Sequence, residues 1–149
     1  YPEDNRRYAD TDPVLNDIEN TENIELFSEK IDMRYLISRY RILITTCATS
    51  TLAWPVMSGK PVVFINQKNN RPLTEDAFTS LSQGLFVFDD QEEGFYDKLR
   101  IFLSQPIEEI ERLWKNKKTA RKEMIRDYFS AYDANAGKRA TKIIFREVF

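Results

Sequence analysis

One stretch, Arg41–Asn66, restricts the fold of this chain more than any other: RILITTCATSTLAWPVMSGKPVVFIN. Ile42, Leu43 and Ile44 form an apolar β-rich run that predicts a strand buried on both faces. Thr45–Thr51, TTCATST, follows as seven small residues, five of them bearing a hydroxyl. Leu52, Val56 and Met57 have the spacing of one apolar helix face, Gly59 fits a helix stop, and Pro61–Ile65 predicts a second buried strand. Parallel strands joined by a short helix make a right-handed crossover. In open α/β sheets ligands bind beyond the carboxyl ends of the strands, where the hydroxyl turn falls. A helix N-terminus at that edge offers free amides and the positive end of the helix dipole, which suits an anion and most often a phosphate.

The rest of the chain extends this pattern. Thr11 or Asp12 can cap a helix opening at Pro13, with Val14, Leu15 and Ile18 on its apolar side. Asn20–Asn23 reads as a turn, Ile24–Phe27 as a strand, and Ile31–Tyr40 as an amphipathic helix with Asp32 as cap. Asn66–Pro72 is a polar loop. Thr74, backed by Glu75 and Asp76, opens a helix that Gly84 ends. Leu85–Phe88 is a strand, after which Asp90 caps Gln91–Leu103, with Phe95, Leu99 and Phe102 buried. Ile107–Phe129 reads as one long charged helix with Ile110, Leu113 and Trp114 as its apolar stripe. After a joint at Ala131–Ala136, Gly137–Phe149 is a last helix with Ile143, Ile144 and Val148 inward. Four strands, around 24–27, 42–46, 61–66 and 85–88, alternate with helices. The fold class is therefore α/β: a Rossmann-like parallel sheet with helices on both faces, one domain over residues 1–149, and long C-terminal helices. The abrupt start at Tyr1-Pro2, without methionine, reads as part of something longer, with a further strand before Tyr1.

Composition removes several function classes. With no histidine among 149 residues, histidine-dependent nucleophile pairs, histidine zinc sites and a histidine general base are excluded within this chain. Cys47 is the only cysteine, which excludes an intrachain disulfide and fits a reducing compartment. A net charge of −2 argues against nucleic acid as a bulk electrostatic partner. No apolar run is long enough to span a bilayer and no signal peptide is visible.

The ordered set Tyr1-Pro2, Ile24–Tyr40, Ile42–Thr51, Gly59-Lys60-Pro61-Val62-Val63 and the tail Asp133–Ala140 resembles the C-terminal half of GT-B glycosyltransferases. The likeness is to those of bacterial surface-polysaccharide synthesis, the group with capsule and lipopolysaccharide Kdo transferases; CDP-glycerol polymer transferases are a more distant match. The resemblance implies a nucleotide-sugar donor, with its phosphate against Thr49, Ser50 and Thr51 and with Lys30 and Lys68 close by. It implies no cofactor besides that donor. It implies a glycan acceptor and an N-terminal Rossmann-like domain of the same protein that carries the acceptor site and the base. It also implies a cytoplasmic location, with contact at the inner face of the membrane as an extension. The family histidine that helps hold the donor phosphate aligns with Tyr1, which can donate a hydrogen bond but brings no charge. Pro55 stands where an acidic residue often occurs in the helix after the hydroxyl turn, and lacking an amide hydrogen it must lie in the first turn of that helix or leave one helix bond unmade.

Each candidate also has a plainer explanation. The hydroxyls of TTCATST can simply cap a helix; Lys30, Lys68 and Arg71 can be solvated charges; Asp89 and Asp90 can hold a ribose or a metal, or Asp90 can cap a helix. Trp54 can stack on a base or pack in the core, Cys47 can be a buried filler, and the run Lys115–Lys122 can be a membrane-surface patch or a solvated helix face. Two readings of function follow: the donor-binding half of a glycosyltransferase, or a non-catalytic module that has lost donor binding and serves as a scaffold. A plain Rossmann-like ligand-binding domain, such as half of a sugar-nucleotide epimerase, is a third.

Overall fold

The computed structural model describes residues 17–18, 20–25, 32–46, 48–129 and 135–148. The chain forms two compact units, Tyr1–Tyr35 and Leu36–Phe149. In the first, Asp17 and Ile18 are helical, and the expected turn follows, with the Thr21 amide on the Ile18 carbonyl and the Ile24 amide on the Thr21 carbonyl. Asp32 caps as expected, its Oδ1 accepting from the Arg34 amide at 2.9 Å. The strand expected at 24–27 is not formed at Ile24 and Glu25; Leu26 and Phe27 lie outside the described residues, as do Tyr1 and Lys30.

The helix expected over Ile31–Tyr40 is shorter. The turn α1 (Met33–Leu36) tightens into a 3-10 turn, Ile37–Arg39, and the backbone is extended at Tyr40. The cause is tertiary: the Lys60 ammonium takes the carbonyls of Ser38 and Tyr40, which a continuing helix would need.

Three parallel strands, β1 (Leu43–Thr45), β2 (Val62–Asn66) and β3 (Phe86–Asp89), form an open sheet in the order β1-β2-β3. β2 lies in the middle and Val62, Val63 and Phe64 are fully buried, as an apolar run between two neighbours requires. β1 departs from expectation. It pairs on one side only, and Ile44 is 52% exposed, because no described strand or helix covers that corner of the sheet. Between β1 and β2 the chain forms a 3-10 turn, Ser50–Leu52, and a helix of five residues, α2 (Ala53–Met57). Pro55 lies in the first turn of α2, where its missing amide hydrogen leaves no bond unmade. Gly59 follows the helix at φ 77°, the left-handed stop that its position predicts.

Helix α3 (Glu75–Gly84) is capped by Thr74, whose hydroxyl accepts from the Ala77 amide at 3.3 Å. Thr74→Ala is expected to cost about 1 kcal/mol of stability, read as a lower urea midpoint at unchanged slope. Gly84 does not act as a left-handed stop. It is the last helical residue, and a Cβ there would lie 2.8 Å from Met124 Sδ and 3.2 Å from Arg121 Cα. Close helix packing, not backbone freedom, is what the glycine provides.

Two further expectations are corrected. Asp90 does not cap a helix at Gln91; its Oδ1 accepts the Lys68 amide and the Gln91 side-chain amide, tying two loops together. The helix α4 (Phe95–Leu103) starts later, after Gly94 at φ 73°. The long helix over Ile107–Phe129 is two, α5 (Ile107–Asn116) and α6 (Lys118–Tyr128), broken at Lys117. The break lets Lys117 donate to the Ser82 and Gln83 carbonyls, while Arg121 donates to those of Trp114 and Gly84. Two cations thus cover the carbonyl end of α3, where the helix dipole favours positive charge. Burial holds both below their usual pKa values.

Paired residues of neighbouring strands share a face, so Phe86 and Phe88 lie on one side with Val63 and Ile65, and Phe64 and Asn66 on the other with Val87 and Asp89. The Phe86 ring meets Phe102 of α4 and Trp114 of α5, at centroid distances of 4.7 and 5.8 Å. α3 stands on the opposite face, where Phe78 and Thr79 share a cavity wall with Asn66 and Asp89. Leu52, Val56, Leu81, Leu85, Ile110, Trp114 and Met124 complete the core. The core tryptophan is Trp114, 3% exposed, whereas Trp54 is 40% exposed. The last helix, α7 (Ala136–Val148), does not turn Ile143 and Ile144 inward: both are more than half exposed, and the core is filled by Ile110 and Trp114 of α5 and Met124 of α6, while the Val148 side chain lies outside the described residues.

Candidate functional site

The carboxyl ends of β1, β2 and β3 open onto two neighbouring cavities that share Leu73. The first, about 290 Å³, lies beside the hydroxyl turn. Ala48, Thr49 and Ser50 form one side, and Leu81, Tyr128 and Phe129 are among the residues opposite. The turn is therefore open, not packed shut. Its hydroxyls are partly committed: Thr49 and Thr51 bond each other at 2.8 Å, and neither caps the turn that follows. The Ser50 hydroxyl has no hydrogen-bond partner among the described residues. The expected dipole contribution is weak here, because α2 is short and is entered through a 3-10 turn. Among the described residues, no charged side chain lines this cavity. Cys47 lies outside the described residues.

The second cavity, about 370 Å³, is polar, and sequence reasoning missed most of it. Asn66, Lys68, Glu75, Phe78, Thr79 and Asp89 line it together with Pro72 and Leu73. Asn66 ends the otherwise apolar β2. It is 4% exposed, and its side-chain oxygen is buried without a hydrogen-bond partner among the described residues. Such a group costs free energy unless something else satisfies it. The register sets Asn66 beside Asp89, and the Asn66 carbonyl accepts the Asp90 amide at 3.1 Å. Asp89 Oδ1 accepts the Gln91 amide at 2.9 Å, and its other oxygen lies 3.9 Å from the Lys68 ammonium. An amide oxygen, two carboxylates and one ammonium favour a ligand rich in hydroxyl donors.

Of the residues expected to bind substrate, Thr49 and Ser50 line the first cavity, Thr51 adjoins it through Thr49, and Lys68 lines the second. Tyr1 and Lys30 lie outside the described residues. The signal that could have found Asn66 is visible in retrospect: an amide that closes a run of buried Val, Phe and Ile is an unusual strand end. Among the described residues no group of three histidine, cysteine, aspartate or glutamate side chains could hold a metal ion. Comparison of the chain with protein-family models, curated proteins and solved structures finds no match. The site therefore has to be judged on its own chemistry. Among the described residues, no helix is long and apolar enough to cross a membrane.

Proposed function

We propose that this chain is the donor-binding half of a GT-B glycosyltransferase that passes a sugar from a nucleotide-sugar to a surface glycan acceptor. The observation that carries the reading is the unsatisfied, buried Asn66 oxygen at the carboxyl end of the central strand, beside Asp89 and Lys68. A nucleotide-sugar has a hydroxyl-rich part and a phosphate part. Ribose or sugar hydroxyls would donate to Asn66 and Asp89. Phosphate oxygens would meet the Ser50 and Thr49 hydroxyls and the Lys68 ammonium across the shared Leu73 wall. These groups favour departure of the nucleoside phosphate by stabilising its charge. The partner N-terminal Rossmann-like half would hold the acceptor and the base.

Titration calorimetry with CMP-, UDP- and GDP-linked sugars tests the reading. One of them is expected to bind, and Asn66→Leu is expected to weaken it by about 1–3 kcal/mol. The same variant should raise folding stability by about 1 kcal/mol, because it removes an unpaired buried oxygen. Loss of binding with gain of stability is the signature of a functional polar group. A second reading, a scaffold module without donor binding, is favoured by the lack of any charged side chain around Thr49 and Ser50 among the described residues. Failure of all three nucleotide-sugars to bind would leave that reading in place.

A further inference from the structure

A third cleft, about 440 Å³, lies at the opposite, amino-terminal end of the strands. Arg41 precedes β1, and Lys60 and Pro61 precede β2; the C-terminal turn of α5 and the first turns of α6 complete the walls. Among the described residues, five cations line it, Arg41, Lys60, Lys115, Lys118 and Arg121, against one carboxylate, Glu111. Arg41 is paired with Glu111 and Glu108, and Lys60 is held by backbone carbonyls. Lys115, Lys118 and Arg121 have no carboxylate partner among the described residues, and the first turn of α6 offers none.

Arg121 is the most informative of these. Its guanidinium carbon lies 3.6 Å from the centroid of the Trp114 ring, and the indole is itself fixed by a 2.9 Å bond to the Gly59 carbonyl. Both hydrogen bonds of Arg121 run through Nη1 to carbonyls. The donors on Nε and Nη2 have no partner among the described residues. A partly dehydrated guanidinium, held flat with free donors beside two unpaired ammonium groups, is a preorganised fork for oxyanions. A monovalent anion would leave most of this charge uncompensated, and the whole chain carries only −2.

We infer that this cleft binds a polyvalent oxyanion of the diphosphate type. The site is separate from the cavities at the carboxyl ends of the strands and does not depend on the nucleotide-sugar reading. The phosphate could be free in solution or belong to an anionic lipid headgroup, and two measurements on the full chain distinguish these sources. Inorganic pyrophosphate is titrated by calorimetry at low and raised salt. Co-sedimentation is measured with phosphatidylcholine vesicles carrying a long-chain alkyl diphosphate and with phosphatidylcholine vesicles alone. Lys115→Glu combined with Lys118→Glu reverses two exposed charges in the cleft. Lys138→Glu with Lys142→Glu makes the same change on α7. Binding that falls with salt is expected, weakened roughly tenfold or more by the first pair and little by the second. Pyrophosphate binding without vesicle binding identifies a soluble ligand, and the reverse identifies a headgroup. Binding of neither, or equal loss in both double variants, overturns the inference.

Discussion

Trp114→Ala is expected to remove about 3–5 kcal/mol of folding stability. That is a large share of the roughly 5–15 kcal/mol that holds a domain of this size together. The indole joins three parts of the molecule. Its ring packs on Phe86 of β3, its N–H donates to the Gly59 carbonyl before β2, and Arg121 of α6 stacks on its face. Truncation opens a cavity, leaves the Gly59 carbonyl without its donor and takes the ring face from the partly buried Arg121 guanidinium. Trp54→Ala is the control. That side chain is 40% exposed and outside the core cluster, so its removal should cost less than about 1.5 kcal/mol. Urea unfolding followed by circular dichroism separates the two. Similar losses would mean that burial of Trp114 is not what stabilises this joint.

Gly84→Val is expected to be the second large loss, about 2–4 kcal/mol. Helix propensity alone predicts the opposite sign for replacing glycine in a helix with alanine, a gain of roughly 1 kcal/mol. At Gly84 that gain is outweighed, because the first added carbon already meets Met124 Sδ at 2.8 Å and the Arg121 backbone at 3.2 Å. Met124 is 1% exposed, which leaves its thioether little room, and the Arg121 backbone can give way only if α6 shifts away from α3. A Gly84→Ala melt gives the graded check. A loss of about 1–2 kcal/mol shows that packing decides, and a gain would show that α6 yields easily. The same shift would carry Arg121 off the Trp114 face, so Gly84→Val should also weaken any oxyanion held in the cleft beside them.

These two sites show where the sequence was readable and where it was not. β2, the Thr74 cap, the Gly59 stop and the stripe Ile110–Leu113–Trp114 follow local rules: periodicity, capping chemistry and backbone freedom. The break at Lys117 is marked locally only by Asn116, a weaker helix stop than glycine. It comes from Lys117 reaching carbonyls at the end of α3, far away in sequence. Asp90 was misread for the same reason, as its partner, the Lys68 amide, lies on another loop. The hydroxyl turn was found from its composition, but Asn66, Glu75, Phe78 and Thr79 were not, because nothing local marks them as neighbours.

By itself, then, the sequence determined the class of fold. Apolar runs long enough for strands, joined by segments long enough for one helix, force parallel crossovers and put the polar turns at one edge. The tertiary structure alone decided which charges and polar atoms meet. Strand register set Asn66 beside Asp89, and the crossing of α3 by α6 set Arg121 on Trp114 in the basic cleft. Distances between elements arise from packing of whole faces, and no local pattern encodes them.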